Sequence, residues 1–121
     1  MQASIQNKAM KKYIYHILDP TLDPNEVIAK NDYTPAGFAE EGFIHCSEKQ
    51  QVSQTLNKWF EGNDSVHLFR IETDKVTASV IFEDLTESGV DFPHIYGALN
   101  TNAIVETTLL KRNSEGEFNF E

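Results

Sequence analysis

Two short stretches hold the residue types that do chemistry. One is Glu41-Gly42-Phe43-Ile44-His45-Cys46-Ser47, and the other is Phe92-Pro93-His94-Ile95-Tyr96-Gly97. Each carries an imidazole, the side chain best suited to act as acid, base or hydrogen-bonding partner near neutral pH. His45 lies just ahead of a segment with helical spacing. A helix start there offers free N–H groups and a dipole that favours anions. Ser47 is then either an N-cap, with Gln50 completing a capping box, or a hydroxyl that helps meet a phosphate or carboxylate with His45 beside it. His94 and Tyr96 flank Ile95 and share a side if the backbone is extended. Together they suit stacking on a planar ring plus hydrogen bonding, or else they anchor a loop into the core.

Three other residues bear on such a site. Glu83 follows Ile81 and Phe82 at the end of an apolar run. At a sheet end it is either a solvated terminus or a carboxylate turned into a pocket, where it can act as a base or stabilise positive charge. His16 shares a strand face with Ile14 and Leu18, so it is either a satisfied core histidine or a hydrogen-bonder at the base of a cleft. Cys46 falls on the face opposite His45, which favours a buried small residue over a nucleophile. His67 reads as surface. No CxxC or HxxxH spacing is present, so no metal is expected.

The elements that must position these groups follow in order. Residues 13–18 read as a first strand. Asp23, Pro24 and Glu26 predict a short helix over 24–30, and Thr34-Pro35 another over 35–40 that ends at Gly42. Residues 43–46 read as a strand, followed by a helix over 48–60 that buries Val52, Leu56, Trp59 and Phe60. Strands are expected at 66–72 and 76–84, then a long loop over 86–102, a strand at 103–112, a turn at 113–116 and a last strand at 117–120. Helices early and strands late predict an α+β fold with a largely antiparallel sheet. Neither a GxGxxG nor a P-loop signature occurs.

The chain of 121 residues carries a net charge of −9, which argues against general nucleic-acid binding. No apolar run is long enough for a membrane span. Residues 1–12 lack a signal-peptide pattern and read as a loose tail, leaving 13–121 as a single domain. With a single cysteine and no secretion signal, a cytoplasmic location is expected. Oligomeric state has no signature in these residues.

The motifs also carry a family resemblance. His16 in a first strand, GFIHCS at 42–47, the strand closing on Phe82-Glu83, FPHIYG at 92–97 and the final Ala103-Ile104-Val105 strand resemble the bacterial family catalogued as domain of unknown function 952, over residues 13–118. That resemblance implies a fold similar to the ADP-ribosyltransferase superfamily: a split sheet holding NAD, or a nucleotide like it, in a cleft. It implies NAD as substrate, a ribose contact from His16, and Tyr96 or Tyr33 as the aromatic that stacks on nicotinamide. The superfamily's late Glu has no clear counterpart. The final strand offers Asn102 and Glu106, whereas Glu83 lies on an earlier one. Two functions follow: an NAD-utilising or ADP-ribose-related transferase or hydrolase using Glu83, His45 and His94 with His16, Ser47 and Tyr96 as binding residues, or a non-catalytic module for a nucleotide-like or small anionic ligand. A third reading makes His45, His94 and Glu83 a buried network that fixes the core.

Overall fold

Aromatic and β-branched residues build strand β1 (Tyr13–Ile17) in the computed structural model, which describes residues 12–120. The tail expected over residues 1–12 therefore lies, Lys12 apart, outside the described residues. β1 pairs with β4 (Ser65–Glu72), and β4 pairs with β8 (Ile104–Lys111), giving a three-stranded sheet in the order β1-β4-β8. A second three-stranded sheet has the order β3-β6-β5, from β3 (Ile44–His45), β6 (Phe92–Tyr96) and β5 (Ser79–Glu83). A ribbon joins β2 (Asp32–Tyr33) to β7 (Leu99–Asn100). All of these pairings are antiparallel. Among the described residues, three short α-helices complete the α+β domain: α1 (Pro24–Ile28), α2 (Phe38–Glu41) and α3 (Val52–Trp59). No helix among the described residues is long and apolar enough to cross a membrane.

Strand alternation sorts the side chains into two cores. Ile14, Leu18, Phe69 and Ile71 meet Ile44, Val80, Phe82 and Ile95 between the two three-stranded sheets. Tyr15, Val66 and Leu68, on the opposite face of β1 and β4, meet Val52 and Leu56 of α3 and Phe118. The sheets are stitched together where Tyr15 and Ser47 exchange backbone hydrogen bonds of 2.8 and 2.7 Å.

Several expectations need correction. The loop expected over 86–102 contains β6 and β7, and β6 is the central strand of its sheet. Trp59 is 70% exposed rather than buried. The expected strand at 117–120 is replaced by an irregular segment that hydrogen-bonds to side chains of α3. Asn57 exchanges two 2.9 Å hydrogen bonds with the Phe118 backbone, and the Phe120 N–H donates to Ser53 Oγ at 2.7 Å. Ser47 is not the helix cap. Its amide and carbonyl are committed to Tyr15, so the chain turns one residue later. Glu48 becomes the N-cap of a 3-10 turn (Lys49–Gln51), and Gln51 rather than Gln50 closes the capping box.

Candidate functional site

The β3-β6-β5 sheet has one apolar face and one chemical face. Ile44 opposes Ile95 and buries into the core, so His45 and its partner His94 must point outward. On the other side of β6, His94 opposes Ile81 and Phe92 opposes Glu83. Phe43, His45, His94, Tyr96 and Glu83 consequently share the outer face. The rings of His45 and His94 lie 5.6 Å apart and perpendicular.

Phe43 is the centre of the cluster. Its ring lies 4.4 Å from that of His94, 4.9 Å from that of His45 and 5.3 Å from that of Tyr96. This cover leaves His94 only 5% exposed. His94 Nδ1 lies 2.8 Å from Glu83 Oε2, and the Tyr96 hydroxyl donates to the same oxygen. An ionised carboxylate only accepts, so Nδ1 carries the proton and Nε2 presents a lone pair. Nε2 has no hydrogen-bond partner among the described residues and is not sealed from solvent. Burial lowers the His94 pKa, and the Glu83 hydrogen bond and charge only partly restore it. Partial burial, reinforced by Glu83, pushes the Tyr96 hydroxyl up to about 12. The site therefore holds a neutral, oriented imidazole backed by a carboxylate, which is the arrangement of a general base.

His45 is held from the other side. Its Nε2 lies 3.1 Å from Glu41 Oε1 and 3.2 Å from Oε2. The pair is open to water, with side-chain exposures of 62% and 51%. Gly42, at φ 85°, turns the chain from α2 into β3 and lets Glu41 reach His45.

Four of the predicted residues thus meet on one face: His45, His94, Glu83 and Tyr96. His16 and Ser47 do not. His16 is 6% exposed beneath β3, and its Nδ1 donates to the His45 carbonyl at 2.8 Å. A carbonyl only accepts, so Nε2 is the acceptor for the Tyr33 hydroxyl, also at 2.8 Å. Both ring nitrogens are thus used, one on the backbone of His45 and one on the Tyr33 side chain. Tyr33 is buried with it, which leaves Tyr96 as the tyrosine on the outer face. Ser47 is 4% exposed. Burial raises the Cys46 thiol pKa, as befits a core residue facing away from His45. Phe43 and Glu41 were not among the expected site residues. The signal for Phe43 was available, since it stands two positions before His45 and so on its face.

Among the described residues no cluster of three or more His, Cys, Asp and Glu side chains is arranged to hold a metal ion. A family model described as "Protein of unknown function (DUF952)" matches residues 20–107. The chain belongs to the DUF952 family. The domain is similar to the crystal structure of CC0527 from Caulobacter crescentus, with 26% identity and a TM-score of 0.74, covering 88% of this chain and 93% of that one. The solution structure of CC0527 gives a TM-score of 0.65 at 26% identity, covering 87% and 90%. No curated protein matches the chain.

In this DUF952 domain Gly97, which follows Tyr96, packs closely against Ala78. A Cβ at Gly97 would sit 2.8 Å from the Ala78 Cβ, and neither backbone can yield cheaply. Gly97→Ala is expected to destabilise the fold by about 1–3 kcal/mol. A urea denaturation curve that matches the wild type would refute this.

Proposed function

We propose that this DUF952 domain is an enzyme that cleaves a glycosidic C–N bond in NAD or an ADP-ribosyl compound. The observation that carries the reading is the Glu83–His94 pair, with a free imidazole nitrogen beside the Phe43 ring. Water attacks the anomeric carbon while His94 Nε2 takes its proton. The bond to nicotinamide breaks, its electron pair passing to the ring nitrogen, and ADP-ribose is the second product. Glu83 stabilises the imidazolium formed on His94. Tyr96 or Phe43 stacks on the flat leaving group, and His45 hydrogen-bonds ribose or phosphate. The family's likeness to the ADP-ribosyltransferase superfamily, a cytoplasmic setting and the absence of a metal requirement belong to the same proposal.

A second reading is favoured by how open the face is, with Tyr96 37% exposed and His45 more so. A face this wet suits a module that binds a nucleotide-like ligand without turning it over. Incubation with NAD, followed by assay of nicotinamide, separates the two. Nicotinamide release above the blank supports the enzyme. A thermal shift with NAD or ADP-ribose and no release supports the module. Neither response at millimolar ligand would refute both.

A further inference from the structure

The α3 side of the β1-β4-β8 sheet contains a cavity of about 200 Å³, whose lining includes Tyr15, Lys49, Arg70, Glu106, Thr108 and Phe120. It lies across the inner sheet from the core shared with β3-β6-β5, so the imidazole face is no part of it. Its lining is more polar than apolar. The aromatic part is Tyr15 and Phe120, which meet edge to face at 5.4 Å, with Leu68 buried beside them. Among the described residues that line it, two are cations and one is a carboxylate, in a chain whose net charge is −9.

Arg70 is held in place but incompletely satisfied. Its guanidinium stacks 4.5 Å from the Tyr13 ring centroid. Nε is buried and makes no hydrogen bond, although Glu106 Oε1 lies 3.3 Å away. The two terminal nitrogens have no hydrogen-bond partner among the described residues and are not buried orphans. Lys49 Nζ stands 6.0 Å over the Phe120 ring and has no carboxylate partner among the described residues. A planar fork of N–H donors and an ammonium that line one cavity with two aromatic rings suit a carboxylate on a flat ring.

We propose that this cavity is a binding site for a small aromatic carboxylate, held at its charged end by Arg70 and Lys49 and at its ring by Tyr15, Phe120 and Leu68. The proposal stands independently of the chemistry at the imidazole face. It is tested on the full chain by NMR, with benzoate as probe and benzamide as its neutral counterpart. Benzoate is expected to shift the amide resonances of Lys49, Leu68, Thr108 and Phe120 saturably, and benzamide to bind at least about tenfold more weakly. Arg70→Gln is expected to weaken benzoate by about tenfold or more. Lys49→Gln, on an exposed turn, should do likewise and guards against a folding defect in the first variant. No saturable response to benzoate, an equal response to benzamide, or unchanged affinity in a folded variant at either position would overturn the assignment.

Discussion

Lowering the pH from 7 to 4 is expected to remove about 3 kcal/mol of folding stability through His16 alone. Burial holds the His16 imidazole at a pKa of about 4 in the folded chain, against an ordinary value of 6.5. Each unit of that difference corresponds to about 1.4 kcal/mol. The folded state binds the neutral ring, so the unfolded state takes up its proton first as the pH falls. Stability is therefore complete above pH 6.5, drains away down to about pH 4 and stops changing below it through this group. His94 is shifted in the same direction and adds to the loss. Asp19 and Asp84 have depressed carboxyl pKa values, so their contributions disappear at lower pH, as the pH falls through those values. Urea denaturation at several pH values checks this. His16→Gln should flatten most of the slope between pH 6.5 and 4. If the variant keeps the wild-type slope, His16 is not its source. At neutral pH, His16→Ala should cost about 3 kcal/mol, because it opens a cavity and leaves both the His45 carbonyl and the Tyr33 hydroxyl unpaired.

The Glu83→Gln variant should show a second large effect, at the outer face. His94 is pulled down by burial and pushed up by Glu83. Without the carboxylate, burial acts unopposed and the His94 pKa falls further. The Tyr96 hydroxyl, pushed up to about 12 by burial and by Glu83, moves back toward its ordinary value of 10.0. NMR titration of the His94 and Tyr96 rings reads both changes. A His94 pKa that rises in the variant would contradict the geometry. On the proposed chemistry, nicotinamide release falls by about 10²–10³-fold, since the imidazolium loses its counter-charge. Wild-type turnover in Glu83→Gln would remove Glu83 from the mechanism.

Much of this site was legible in the residues, for a simple reason. Period-two alternation places His45 outward and Cys46 inward without knowledge of any partner strand. The same rule put His94 and Tyr96 together and set His16 beside Ile14 and Leu18. What alternation cannot supply is pairing. Nothing local says that His45 stands opposite His94, because that register is made by antiparallel contact across the chain. The segment holding His94 read as loop because Pro93 and Gly97 bracket it, and proline is rarely found in a central strand. Here Pro93 still uses its carbonyl, which accepts the Cys46 N–H at 3.0 Å. The helix cap was misplaced by one residue because serine is the better N-cap by residue preference. The Tyr15 contact decided between Ser47 and Glu48. Trp59 matched the helical period of Leu56, yet as the last residue of α3 it stands exposed.

Cys46 makes the protein a reporter on itself. Its thiol is 4% exposed and faces the interior immediately behind His45. A thiol reagent can reach it only when β3 parts from its neighbours. The alkylation rate therefore measures how often the floor of the imidazole face opens, and a ligand seated there would slow that rate in proportion to its occupancy. With one cysteine in the chain, every modified molecule records that single event. Ligand screening could thus proceed by mass alone, with no knowledge of the reaction.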